Sequence, residues 1–327
     1  MEHNQDLQGV IESLIQQDPS TAQLYELSAL SGDALELFRK TWPTVPPERR
    51  ASVTIELIDI AENDFEVDFG PVFRTGLQDN SEAVRTAAIE GLWEAEDVAL
   101  VRPLLKMLDS DPSVRVREAA AMSLSRFVLM AELGKLPTSI ADALWDALWT
   151  AIHAADQEVD VRRRAVESLA FFDRPEVHEV IQAAYADVEP RMRISAIFAM
   201  GRTGDQEWSD VVMAELETTE PEMRYEATRA CGELQLLEAT PALSLLVADS
   251  DPEVRLAAVW SLGQIGTPEA RRVLDICLEE GDEAIQEAAD DALSEIDFLQ
   301  DTLEFPMVDY GADDLLDEED LDEEDLD

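Results

Sequence analysis

The chain has 327 residues, 73 of them acidic against 24 basic, and a formal net charge of −49. A field of that sign repels nucleic acid, whose affinity rests on Lys and Arg set against phosphates, and it repels an anionic membrane surface. A hydrophobic content of 46% allows a sizeable core, and two distant cysteines, Cys231 and Cys277, exclude a disulfide framework.

Residues 1–44 read as an N-terminal helical cap, with Leu7, Val10, Ile11, Leu14 and Ile15 on one face. The first residues lack the basic and apolar regions of a secretion signal. No run reaches the ~18 apolar residues that span a bilayer. A soluble, cytoplasmic protein is the expectation.

From residue 45 to 298 a repeat organises the chain. Its first and weakest copy is PPERRASVTIEL around Arg50. Arg85 in AVRTAAIEGL follows 35 residues later, and Arg117 in VREAAAMSL 32 after that. The next interval is 45, to Arg162 in DVRRRAVESLAFF. Its 14-residue surplus falls near ELGKLPTSIAD and predicts a longer helix or an inserted loop. From there the spacing is a steady 31: Arg193, Arg224, Arg255, then Gln286 where the arginine is lost. About seven to eight units are visible.

Each unit has readable physics. Asp251 is a natural N-cap and Pro252 suits the first helical turn. The helix that follows carries Val254, Ala257, Ala258, Ser261, Leu262 and Ile265 at 3.6-residue periodicity. Gly201, Gly232 and Gly263 share one column, which predicts close helix approach. Thr240-Pro241 and Thr267-Pro268 look like cap-and-proline starts of partner helices. One such helix pair cannot bury its own apolar face, and stacking on neighbours can. The last unit is acidic, with Glu283, Glu287, Asp290, Asp291 and Glu295 forming a polar C-terminal cap.

The run DPEVRLAAVWSLGQIG and its copies resemble the HEAT superfamily, in the short form found in bilin lyases. The resemblance implies an all-α fold, a right-handed α-solenoid of helical hairpins. It also implies that Arg85, Arg117, Arg162, Arg193, Arg224 and Arg255 form a structural ladder between repeats with acidic neighbours. It is nearly silent on function.

Residues 299–327 break the pattern. From Asp301 to Asp327 there are 14 acidic residues and no basic one, which predicts a disordered tail. Leu315, Leu316, Leu321 and Leu326 interrupt the charge, and such alternation can fold on a partner.

If the second helix of each unit lines the concave side, as in HEAT relatives, its outward positions are the first, fifth and ninth after the ladder arginine. The ends of this groove are acidic. Its middle holds Arg126, Arg163, Ile194, Phe198, Arg202, Tyr225, Arg229, Leu256 and Trp260, the expected partner-binding surface. The arginines would take carboxylates and the aromatics would take Leu or Phe anchors. The expected function is therefore a non-catalytic scaffold or adaptor for a peptide or protein partner. A basic protein and the chain's own acidic tail are both candidates, and no cofactor, metal or direct nucleic-acid contact is expected. Two alternatives remain open: an acidic chaperone for basic clients such as ribosomal or nucleic-acid-binding proteins, and a bilin lyase-like subunit that binds an open-chain tetrapyrrole. HEAT-like deoxyhypusine hydroxylases use several His-Glu pairs, whereas here His178-Glu179 is the one pair beside His3 and His153. Neither cysteine has a nearby histidine in sequence, and no nucleotide-binding, zinc-protease or serine-hydrolase motif occurs.

Overall fold

A computed structural model of the protein describes residues 9–15 and 19–304. Among them every regular element is helical and there is no strand. The chain divides into two compact units, Met1–Ala239 and Thr240–Asp327.

In the first unit the helices are α1 (9–15), α2 (Thr21–Tyr25), α3 (Gly32–Thr41), α4 (Pro47–Asn63), α5 (Gly70–Gly76), α6 (Glu82–Glu90), α7 (Val101–Ser110), α8 (Val114–Ser123), α9 (Ser125–Glu132), α10 (Thr138–His153), α11 (Val159–Leu169), α12 (Pro175–Tyr185), α13 (Pro190–Thr203), α14 (Ser209–Glu215) and α15 (Pro221–Glu233). The second unit holds α16 (Thr240–Leu246), α17 (Pro252–Ile265), α18 (Pro268–Glu280) and α19 (Glu283–Glu304). The acidic residues 305–327 lie outside the described residues, as does Leu7 of the N-terminal face.

Helices pair as hairpins: α5 with α6, α7 with α8, α10 with α11, α12 with α13, α14 with α15. The second helices then stack in order, α4 on α6, α6 on α8, α8 on α11, α11 on α13 and α13 on α15. In the second unit α17 packs against α16, α18 and α19. Each hairpin buries its apolar stripe only by this stacking. Val10, Ile11 and Leu14 of α1 are buried as expected, but Ile15 is exposed, so the apolar face of that helix ends one residue early.

Prolines open α12, α13, α15, α17 and α18, where the missing N–H costs nothing. Asp251 caps α17 by accepting from the Glu253 and Val254 amides, and Thr267 caps α18 by accepting from Ala270. Thr240 differs from expectation: it is the first residue of α16 and not its cap. The glycine column works as close approach. A Cβ on Gly201 would lie 3.0 Å from the Ala230 Cα and 2.9 Å from a Glu233 oxygen, and one on Gly263 would lie 2.8 Å from the Ala292 Cβ. The 14-residue surplus resolves into an additional helix, α9, followed by a long first helix, α10, of 16 residues.

The arginine column does form a ladder, and its first two rungs share one design. Arg50 donates to both oxygens of Asp79 at 2.8 and 2.7 Å, and Arg85 to both oxygens of Asp111 at 2.9 and 2.8 Å. The carbonyls of these two aspartates accept from the next arginines along, Arg85 to Asp79 at 2.8 Å and Arg117 to Asp111 at 2.7 Å. Each aspartate also accepts from the amide two residues on, Ser81 and Ser113 respectively. One residue thus turns the chain and ties two repeats. The design weakens where the register changes. Arg117 meets Gln157 at 3.2 Å instead of a carboxylate, and Arg162 lies 3.8 Å from Asp187. Thr218 stands where Asp79 and Asp111 stand in their repeats: its carbonyl accepts from Arg224 at 2.8 Å, but it offers Arg193 no carboxylate.

Asp111→Ala should destabilise the protein by about 3–5 kcal/mol, because it leaves the buried Arg85 guanidinium without its counter-charge. Thr218→Asp should stabilise it by about 0.5–1 kcal/mol, by supplying the missing rung to a half-exposed arginine. Urea unfolding of the two variants checks both signs.

Candidate partner-binding site

The first, fifth and ninth positions after the ladder arginines fall mostly on the partly exposed flank of the second helices; Glu167 is buried, and Arg126 lies on α9. None of the nine expected residues belongs to the buried core. Arg126, Arg163, Ile194, Phe198, Arg202, Tyr225 and Arg229 of the first unit are all half-buried, as are Leu256 and Trp260 of α17 in the second. Residues on one stripe of a helix tend to share a fate, and here that fate is partial exposure.

Four of the nine converge. Phe198 and Arg202 on α13 and Tyr225 and Arg229 on α15 line a cavity of about 210 Å³, together with Glu226, Ala230 and Glu233. Gly201 makes this possible, since any side chain there would displace the Glu233 carboxylate. Ile194 sits one turn before Phe198 on the same flank. Arg163 lies on α11, the second helix next to α13, and Arg126 further away, on α9.

The arginines of the flank are engaged within the chain. Arg202 pairs with Glu233 at 2.9 Å, and Arg229 reaches the same oxygen at 3.7 Å. Arg202 also lies 5.0 Å over the Phe198 ring and 5.8 Å from Phe171. Arg163 pairs with Glu118 at 2.8 Å and Asp160 at 3.0 Å. Its neighbour Arg164 holds Glu167 at 2.7 Å, and Glu167 in turn accepts from the Ser195 hydroxyl at 2.5 Å. Arg126 is held by neutral oxygens, the Ala95 carbonyl at 3.0 Å and the Ser123 hydroxyl at 2.7 Å, and burial pushes its guanidinium down to about 10.

Glu226 is the residue that sequence reasoning missed. It carries no hydrogen bond or ion pair among the described residues, and it lines the cavity. Burial, joined by the charges of Glu167 and Glu233, pushes its carboxyl up to about 7 against the opposing pull of Arg229 and Arg202. Burial likewise raises Glu233, which its arginines pull back. A signal for Glu226 was present in the repeat alignment. The second position after the ladder residue is Ala87, Ala119, Ser195, Ala257 and Ala288 in other copies, and only Arg164 and Glu226 are charged there.

A larger cleft of about 840 Å³ opens where α9 and the long α10 interrupt the register. It is lined by Asp109, Asp111, Arg117, Asp146, Asp156 and Gln157, among others. Asp111 among them is already engaged by Arg85 on both oxygens.

The family model of HEAT repeats matches residues 70–151 and 209–294. The chain belongs to the HEAT-repeat family. No curated protein matches it in sequence. Among solved structures, the CpcE–CpcF complex of phycocyanin lyase from Nostoc sp. PCC7120 is 18% identical over 76% of this chain and 95% of that one, with a TM-score of 0.54. Human deoxyhypusine hydroxylase is 20% identical over 91% of this chain and 98% of its own, with a TM-score of 0.38. Kap95p bound to RanGDP is 13% identical over 89% of this chain and 45% of its own, at 0.46. At these identities the likeness is one of fold.

Other chemistry on this HEAT chain is sparse. Among the described residues no three or more His, Cys, Asp or Glu are grouped to hold a metal ion, and no helix is long and apolar enough to cross a membrane. His178 stacks on Trp208 at 4.3 Å and faces Glu207 at 3.6 Å, while exposed His153 stacks on Trp149. Both cysteines are buried, and burial pushes the Cys231 thiol up to about 12, so it stays protonated.

Glu226 has a testable sign. Its folded pKa is raised, so the native state favours the protonated form, and stability is lost as pH climbs from the ordinary carboxylate range through about 7. Glu226→Gln removes that loss. The variant should gain about 2–3 kcal/mol over the parent at alkaline pH relative to acid pH, measured by urea unfolding at both.

Proposed function

We propose that this HEAT-repeat protein is a non-catalytic scaffold that docks a protein partner on the exposed flank of α13 and α15. One observation carries the reading. The arginines of that flank are neutralised by the chain's own glutamates, while Ile194, Phe198 and Tyr225 stay half-exposed around a formed cavity. Aromatic and arginine side chains set around a recess are the usual make-up of an interaction hot spot. HEAT repeats in general present such surfaces to proteins.

The same pairing reverses the sign of the partner. With Arg163, Arg202 and Arg229 engaged, an acidic peptide finds few counter-charges, and the chain's own tail is a poor occupant for the same reason. Against a net charge of −49, complementarity favours a partner that brings basic side chains. The aromatic flank distinguishes this scaffold from a chaperone that shields cationic clients by charge alone.

The test is capture of native-lysate proteins on the full-length chain, on Phe198→Ala/Tyr225→Ala, and on Ile276→Ala as a control on the exposed surface of α18. The scaffold reading expects a defined set of proteins that survives high salt, is kept by the control and is depleted at least about tenfold by the double variant. Binding that vanishes with salt and ignores the double variant would establish charge shielding as the function. The lyase alternative has the phycocyanin-lyase fold in its favour. Visible absorbance retained after incubation with an open-chain tetrapyrrole would replace the scaffold reading with it.

A further inference from the structure

The cavity between α13 and α15 contains a contradiction that the scaffold reading does not resolve. Arg202 and Arg229 share the Glu233 carboxylate, so their charges are already directed at one group. Glu226 lines the same cavity, half-buried and without a hydrogen bond or ion pair. A buried carboxylate without a partner is costly. In this repeat it replaces the alanine or serine that most other copies use. Phe198 and Tyr225 line it with aromatic rings. A small recess lined by a carboxylate and aromatic rings matches the end of a long cationic side chain, whose methylene stem packs on rings while its head takes the charge.

We propose that this cavity is the subsite for one lysine or arginine side chain of the docked partner, with Glu226 as its counter-charge. The proposal rests on the scaffold reading for its location and adds the chemistry of the ligand. The two sources share a cationic head on an apolar stem, and they differ in whether the head is a compact ammonium or a planar guanidinium.

The groups around Glu226 decide the pH behaviour. Glu167 on α11 and Glu233 on α15 oppose its ionisation, and Arg202 on α13 and Arg229 on α15 favour it. Glu215 of α14 is engaged by the Tyr185 hydroxyl at 2.5 Å and is not among the groups that act on Glu226. A cation binds the ionised form, so at acid pH it must displace a proton. Affinity should therefore fall by about tenfold between about pH 8 and about pH 6. Carboxylates on the open surface are ionised throughout that range, so attraction to the general negative field should not change in this way. Any other pH effect in the molecule is shared by parent and variant and cancels in the comparison.

The probes are three peptides of otherwise neutral residues with one central lysine, arginine or norleucine. Each is titrated into the full-length chain and into Glu226→Gln at both pH values in moderate salt, with binding read from backbone amide chemical shifts. The proposal expects the lysine or arginine peptide to bind and the norleucine peptide not to, with shifts centred on α13 and α15. It expects the tenfold pH dependence in the parent and its loss in the glutamine variant, whose amide spectrum shows that it remains folded. The tighter of the two cationic peptides names the side chain. Equal affinity of parent and variant, pH-independent binding, or no binding by either cationic peptide overturns the subsite. Any of those results leaves the scaffold reading to its own test, because Phe198 and Tyr225 can anchor a partner without Glu226.

Discussion

An aspartate shared between two arginines sets the spacing of the hairpins. Asp79 and Asp111 each receive a guanidinium from the preceding repeat on the side chain and another from their own repeat on the carbonyl. The same residues turn the chain from first helix to second. Burial of alanine and leucine stripes supplies the driving force, but it is non-directional. The charge-assisted bonds fix the angle at which one hairpin meets the next, since bidentate arginine–carboxylate pairs tolerate little rotation. The exposed flank of α4, α6 and α8 inherits its position from that angle.

The flank itself is organised by a second set of ion pairs. Glu118, Asp160, Glu167 and Glu233 take up Arg163, Arg164, Arg202 and Arg229 in a band running across α8, α11, α13 and α15. These pairs are partly exposed, and such contacts add little stability. What they settle is sign. A stripe that reads as cationic from composition is electrically neutral once folded, and the one carboxylate left over lies in its recess.

The repeat, its second-helix phase and its close-packed glycines were legible because each rests on periodic side-chain identity. Arg50 through Arg255 mark the register, and the residues one, five and nine positions on share the partly exposed stripe with the exception of buried Glu167. The cavity was not legible, for two physical reasons. Which carboxylate an arginine chooses depends on the distance across neighbouring helices, and spacing along one helix does not contain that distance. Arg202 and Glu233 are 31 residues apart, and nothing in either segment alone announces the pair. Glu226 was hidden because its position is a packing column in other repeats. Its departure from Ala is visible only when the copies are compared column by column. The surplus before Arg162 was placed correctly, but that it would add α9 as well as lengthen α10 is a matter of tertiary packing against α11, which no local propensity encodes.

The junction between α13 and α15 is fastened differently from the ones before it. Thr218 withholds the carboxylate that would hold Arg193 at the loop edge, and Arg202–Glu233 ties the two helices at their other ends, on the wall of the cavity. Fastener and recess are therefore one set of side chains. Whatever occupies the recess must share Glu233 and its arginines with the bond that sets the pitch between these two repeats. A partner side chain seated in the recess would therefore load the same bond that joins these two helices, as a wedge driven into a clasp would.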